Sequence, residues 1–495
     1  MAESDRPVAH WIETGVPELD RVLGGGLLQG SLAMVIGSPG AGKTVMAQQI
    51  AFHYAARGHA TLFLTGFSEP HDKLLSHSRS LTFFREELVG DKIQFASLLG
   101  LLREGATETE NAIVDTARAQ SASLVIIDGF RGIRRLLRDD QAVASFLYSL
   151  GAKLAMTGAT TLLCLEGDPD EAGRYPEITV CDVILALRRE LRDSRERKLL
   201  QVVKARGSSP LHGLHLYTIT GDGISVFPRF ESTVSASSSA WTPGRAAFGI
   251  DQFDAMLQGG LNRSTVTLAA GSPGVGKTLL GLHVVAAGAR DGEPALFLGF
   301  MESEAQLREQ ARVFGLDLRA GGAAALTRLL VLPGHDLEAD HVAKLLVEDV
   351  ERRGVRRLVI DSAAELERGV GMPERKPGFL SALVSYLRDR QVTTYATLDI
   401  PTLAGPTLEL GNTPLSVVAE NLLLLRSVEY RGALHRVFSV LKMRFSDHER
   451  AIYEYVIDPG EGIRITGPAP LGEGLLTGIA RPLVDIPLQT QSDGG

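Results

Sequence analysis

Gly37-Ser38-Pro39-Gly40-Ala41-Gly42-Lys43-Thr44 recurs later in the chain as Gly271-Ser272-Pro273-Gly274-Val275-Gly276-Lys277-Thr278. Each copy satisfies G-x-x-x-x-G-K-[ST], a loop whose backbone N–H groups wrap nucleotide phosphates. Its glycines let the main chain approach phosphate closely, and the helix that follows turns its positive end toward the anion. Lys43 and Lys277 are then placed to meet the β- and γ-phosphates, and the hydroxyls of Thr44 and Thr278 to ligate Mg²⁺. Two such loops predict two bound nucleotides, with ATP and Mg²⁺ as the expected ligands.

The repetition extends outward from the loops. Upstream stand Thr14-Gly15-Val16-Pro17-Glu18-Leu19-Asp20 with Gly24-Gly25-Gly26-Leu27, and Phe248-Gly249-Ile250-Asp251-Gln252-Phe253-Asp254 with Gly259-Gly260-Leu261. Downstream, Leu124-Val125-Ile126-Ile127-Asp128 matches Leu358-Val359-Ile360-Asp361. The interval from loop lysine to aspartate is 85 residues in the first half (43 to 128) and 84 in the second (277 to 361). Spacings held over such distances mark a duplicated domain rather than a short-period solenoid. In each half apolar runs alternate with helical patterns, which predicts βαβ units around a mostly parallel sheet. Strands are expected at Leu32–Ile36, Ala60–Thr65, Leu124–Ile127 and Thr161–Leu165, with a helix over Thr44–Arg57. The second half repeats them at Thr265–Ala269, Ala295–Leu298, Leu358–Ile360 and Thr393–Leu398. Each half closes on an expected antiparallel pair, Val183–Leu191 with Leu199–Lys204 and Leu422–Glu429 with His435–Lys442. The domain plan is 8–230, a Ser-rich linker over 231–246, a second domain over 247–466, and a poorly ordered tail over 467–495.

A chain of 495 residues suits two domains of this size. A hydrophobic share of 44% with 22% charged residues is that of a soluble globular protein. The net charge of -8 argues against a dedicated nucleic-acid binder, which carries a basic face. The mixed-charge run from Arg188 to Lys198 reads as the watered end of a hairpin. The only cysteines, Cys164 and Cys181, read as buried thiols, and the absence of a disulfide framework fits a cytoplasmic protein. The twelve histidines show no metal-ligand spacing. Met1–Pro7 carries no apolar signal segment, and no apolar run is long enough to cross a bilayer.

Two kinds of carboxylate are candidates for the chemistry. Asp128 and Asp361 end strands expected beside the loop strand, where a carboxylate can hold Mg²⁺ through water; the alternative is a strand-end aspartate capping a turn. Glu69, in Gly66-Phe67-Ser68-Glu69, and Glu302, in Phe300-Met301-Glu302-Ser303, follow the second strand of each half. They are candidates to orient or deprotonate an attacking water, since an open α/β sheet binds its ligand at the carboxyl ends of its strands. An exposed acid opening a helix is the competing reading.

These residues together resemble the KaiC family of RecA-like ATPases in its double-domain form, from about Trp11 to Ile465. The loops are shared by many NTPases. More specific are Gly-Gly-Leu before each loop, the glutamate after the second strand, and the late strands Gln201-Val202-Val203-Lys204-Ala205-Arg206-Gly207-Ser208 and Phe438-Ser439-Val440-Leu441-Lys442-Met443-Arg444. Val428-Glu429-Tyr430-Arg431-Gly432 resembles a stretch of the family's second domain. The resemblance implies two tandem RecA-like P-loop domains, a homohexamer of stacked rings, ATP at subunit interfaces and a protein partner. It implies that Lys204, Ala205, Arg206 and Ser208 contact ATP held by a neighbour's first domain, and Lys442, Met443 and Arg444 ATP held by a neighbour's second. Two departures stand out. The family's clock member has paired glutamates where this chain has Ser68-Glu69 and Met301-Glu302, and neither Ser68 nor Met301 is a carboxylate base. It also has a phosphorylated Ser-Thr pair where this chain has Ser416 and Val417. The expected function is an ATP-hydrolysing switch; a nucleotide-stabilised scaffold with negligible turnover, a serine autokinase using Ser416, and a DNA motor are the competing readings.

Overall fold

Leu32-Ala33-Met34-Val35-Ile36 is apolar at every position, and the strand it forms (β1, Leu32–Gly37) is buried throughout. Ala33 and Val35 join one core with Phe52 and Phe63, while Leu32, Met34 and Ile36 join another with Leu62 and Leu147. Alternate side chains thus feed cores on both faces, as a central parallel strand requires. The computed structural model describes residues 10–66, 71–102, 105–134, 137, 139–170, 175–192, 194–234, 243–318, 326–400, 415, 418–430, 432–469, 472–473 and 481–482. The chain divides into one unit over Met1–Thr233 and another over Val234–Gly495.

In the first unit the other sheet strands are Thr61–Thr65 (β2), Ile93–Ser97 (β3), Leu124–Asp128 (β4), Thr160–Glu166 (β5), Val183–Arg192 (β6), Arg195–Ala205 (β7), His215–Thr220 (β8) and Gly223–Phe227 (β9). Their order is β9-β8-β7-β6-β1-β5-β4-β2-β3. β1 to β6 are parallel, and β7, β8 and β9 are added antiparallel. The second unit repeats this plan with Val266–Gly271 (β10), Ala295–Gly299 (β11), Thr327–Val331 (β12), Arg357–Asp361 (β13), Thr393–Asp399 (β14), Asn421–Tyr430 (β15), Ala433–Met443 (β16), Tyr453–Asp458 (β17) and Gly462–Pro468 (β18). Its order, β12-β11-β13-β14-β10-β15-β16-β17-β18, is the same list read from the other end. Both units are therefore RecA-like P-loop domains with mostly parallel sheets. In the stretch expected to be a poorly ordered tail, Gly472–Glu473 pairs antiparallel with Arg481–Pro482.

One expectation is corrected. Asp128 and Asp361 do not end strands adjacent to the loop strand: β5 lies between β1 and β4, and β14 between β10 and β13. The crossover from β1 to β2 skips positions that later strands fill. β4 and β5 are equally apolar on both faces, so composition does not say which of them sits beside β1. The reversal of strand order opens a crevice at the carboxyl ends of β1, β5 and β4.

The helices after the loops, α1 (Lys43–Ala56) and α2 (Lys277–Arg290), each start from a glycine with left-handed backbone, Gly42 at φ 95° and Gly276 at φ 92°. A side chain at that angle is strained. Each long hairpin also carries one bulge, at matching places. Ile184 pairs with Lys204 but Leu185 with Val202; Leu422 pairs with Lys442 but Leu423 with Val440. The extra residues, Val203 and Leu441, are exposed. A bulge re-aims the strand beyond it, and here it immediately precedes Lys204 and Lys442.

Candidate nucleotide sites

Both loops have the same geometry. Lys43 Nζ donates to Gly37 O (2.9 Å) and Ser38 O (3.0 Å). Lys277 Nζ donates to Gly271 O and Ser272 O, both at 2.9 Å. Burial pushes the Lys43 ammonium down, against the pull of Cys164, Asp128 and Glu166 nearby. Gly37 and Gly271 need to be glycine for space: a Cβ on Gly37 would stand 2.7 Å from Leu187 O, and one on Gly271 would collide with Leu425 O.

Despite the intervening strand, the aspartates reach the loops. Thr44 Oγ1 donates to Asp128 Oδ2 and Thr278 Oγ1 to Asp361 Oδ2, each at 2.7 Å. In the second unit Thr397 donates to the other oxygen of Asp361. In the first, register places Cys164 opposite Asp128, and Cys164 is buried. Hydroxyl and carboxylate oxygens are hard donors of the kind Mg²⁺ takes, in sites where one or two protein oxygens are completed by phosphate and water. Among the described residues no group of three or more His, Cys, Asp or Glu is arranged to hold a metal alone. The donor set therefore fits a metal carried with a nucleotide.

Sequence reading missed four braces on the loops. Tyr217 Oη donates to Ala41 O at 2.6 Å, and Tyr455 Oη donates to Val275 O. Both tyrosines are buried, on β8 and β17. Tyr395 Oη donates to Lys277 O at 3.0 Å. Arg189, on β6, donates to Pro39 O at 3.1 Å while paired with Glu196. No motif spells these contacts, because β8 and β17 lie far along the chain; only the matching tyrosines in the two halves signal them. Tyr217→Phe is expected to leave the Ala41 carbonyl short of a donor. It should lower first-unit stability by about 1 kcal/mol and weaken nucleotide binding at the first loop alone, as read by denaturant unfolding and calorimetry.

Glu302 lines the second pocket with Asp361, Glu365 and Asp399. Burial pushes its carboxyl up, helped by the charges of Asp361 and Asp399. A raised carboxyl is a stronger proton acceptor than an ordinary one. Met301 beside it also lines the pocket and is 76% exposed. Glu69 and Ser68 lie outside the described residues, as do Ser416 and Val417. Two further acids end the strands next to the loops: Glu166 pairs in register with Gly37, and Asp399 with Gly271. Their shared signal in the sequence is an acid closing the fifth strand of each half.

The residues expected to serve a neighbour are away from their own loops. Lys204, Ala205, Arg206 and Ser208 are not among the residues lining the first pocket, nor Lys442, Met443 and Arg444 among those lining the second. Lys204 Nζ donates to Ile178 O (3.1 Å), and Lys442 Nζ to Ala419 O (2.7 Å). Arg206 is exposed, 3.3 Å from Asp182, and Arg444 is exposed. The mixed-charge run forms the β6–β7 hairpin end, with Arg189, Glu196 and Lys198 paired to one another. No helix among the described residues is long and apolar enough to cross a membrane.

A sequence model described as the KaiC ATPase matches residues 12–231 and again 246–469. The circadian clock oscillator protein KaiC of Picosynechococcus sp. is 28% identical over 462 residues, covering 91% of this chain and 88% of its own. The circadian clock oscillator protein KaiC 1 of Synechocystis sp. is 28% identical, covering 90% of this chain and 87% of its own. The circadian clock protein KaiC3 of the same organism is 26% identical, covering 97% and 96%.

Proposed function

Because the chain belongs to the KaiC family of ATPases, we propose that it is an ATP-hydrolysing switch that assembles as a double-ring homohexamer with nucleotide at subunit interfaces. The observation that carries this reading is the doubled Thr–Asp pair, 2.7 Å in both units, set against a loop lysine at the mouth of the strand crevice. Lys43 and Lys277 would bind the β- and γ-phosphates; Thr44 with Asp128, and Thr278 with Asp361, would hold Mg²⁺. The metal, when bound, neutralises phosphate charge and polarises the terminal phosphoryl group. Glu302 would accept the proton of the attacking water in the second site, and Glu69 is the matching candidate in the first. A carboxylate one residue displaced from the family's first glutamate lowers turnover without removing a base, so hydrolysis should be slow.

The inter-subunit role is supported by cations carried past a bulge, away from their own pockets. Arg206 and Arg444 would neutralise phosphate on an adjacent subunit, so that assembly and nucleotide binding stabilise each other. Nucleotide state would then alter a ring surface read by a protein partner. Native mass spectrometry with and without Mg-ATP, alongside phosphate release, tests the proposal. Hexamers with steady release support the switch. Hexamers without release make it a nucleotide-held scaffold, and monomers in both conditions overturn the assembly.

Arg206→Ala gives a sharper check. The Arg206–Asp182 pair is exposed and contributes little to the fold, so the variant should fold normally yet sediment as smaller species in Mg-ATP. Sedimentation equal to the wild type would contradict the inter-subunit assignment.

A further inference from the structure

Lys277 is engaged more completely than a loop lysine needs to be. An ammonium has three N–H donors. Two of them point at Gly271 O and Ser272 O, and Asp399 Oδ1 lies 2.8 Å from the same nitrogen. The lysine side chain is 7% exposed and the aspartate 55%. Asp399 ends β14 in register with Gly271, so the sheet itself fixes this carboxylate at the mouth of the loop. The two carbonyls belong to the loop and stay with it. The carboxylate is the one partner that a rotamer change can remove.

We propose that Asp399 is an internal competitor for phosphate in the second site: it forms an ion pair with the Lys277 ammonium on the side the two carbonyls leave open, and a nucleotide phosphate oxygen reaches that charge only by displacing it. The inference rests on the reading of this loop as a triphosphate site. Displacement leaves the Asp399 carboxylate in a pocket it shares with Glu302 and Asp361, close to an incoming anion. Both the lost ion pair and the added repulsion therefore weaken binding. In the first site the corresponding acid is Glu166, which acts on Lys43 as a nearby charge.

The test uses the full chain carrying Lys43→Ala, so that the second loop alone reports, titrated by calorimetry with Mg²⁺ and a non-hydrolysable ATP analogue. Adding Asp399→Asn or Asp399→Ala is expected to tighten binding about fivefold, the scale of one partly exposed ion pair. Adding Asp399→Glu, which keeps the charge, should stay within about twofold of the parent. A merely structural role predicts the reverse, weaker binding in the Asn and Ala proteins. Unchanged or weaker binding in both, or a Glu variant that tightens as much as Asn, overturns the proposal. No heat in any protein, the parent included, overturns the nucleotide reading and this inference with it.

Discussion

Lys43→Ala and Lys277→Ala together are expected to abolish the heat of Mg-ATP binding and steady phosphate release, and each alone to remove one of two sites. The ammonium of Lys277 is buried and held by two loop carbonyls; that of Lys43 is partly buried, and burial pushes its pKa down. In both cases a cation is kept partly out of water, and on the proposed function a triphosphate is the anion it meets. Losing one charge-assisted contact of this kind costs about 3 kcal/mol, or roughly 100-fold in affinity. The fold should change little, because the alanine removes a buried charge whose desolvation offsets the hydrogen bonds lost by the loop carbonyls. Unfolding in the absence of nucleotide should therefore match the wild type, while the protection given by Mg-ATP disappears. Retained phosphate release in the double variant would remove the loops from the chemistry altogether.

The second large effect is a pH dependence that His283 gives the second unit. His283, on α2, is 4% exposed and accepts a hydrogen bond from the Ile463 N–H (3.2 Å) through Nε2. An accepting nitrogen is unprotonated, and burial pushes the imidazole down to about 4, with Arg290 adding repulsion. In the unfolded chain the ring titrates near 6.5. Protons therefore bind the unfolded state first as pH falls. The stability given by neutral His283 is full above pH 6.5 and is lost progressively down to about pH 4, a total of about 3 kcal/mol. The corresponding position in the first unit is Gln49, whose Oε1 accepts from the Ile224 N–H at 2.7 Å and does not titrate in this range. Denaturant unfolding between pH 7 and 4.5 should show the second unit weakening on this account, and His283→Gln should flatten that part of the profile. An unchanged slope in the variant would mean that other groups dominate.

Much of this was readable from the chain because the information was local or repeated. A loop that binds phosphate with its own backbone is written in consecutive residues, so Gly37 to Thr44 and Gly271 to Thr278 declared themselves, with the strand before and the helix after. The nearly equal intervals to Asp128 and Asp361 marked these two aspartates, and the structure pairs them with Thr44 and Thr278. The half-exposed edge strands β3 and β12, and the hairpins β8–β9 and β17–β18, were not foreseen. They are short, and their apolar side chains are spread among polar ones, so no run stands out.

What the sequence determined by itself is that two P-loop domains exist and where each loop lies, since loop conformation is set by glycine and by the helix that starts from it. Which parallel strand lies beside which was settled only by the tertiary structure. Placing β5 between β1 and β4 depends on crossover geometry, to which equally apolar strands are indifferent. The same placement puts Asp399 against Lys277, although 122 residues of chain separate them. The antiparallel strands added on the other side of the loop strand set the hydroxyls of Tyr217 and Tyr455 on the loop carbonyls. Such contacts depend on where side chains converge across a sheet, and a linear order of residues carries no distance between its distant members.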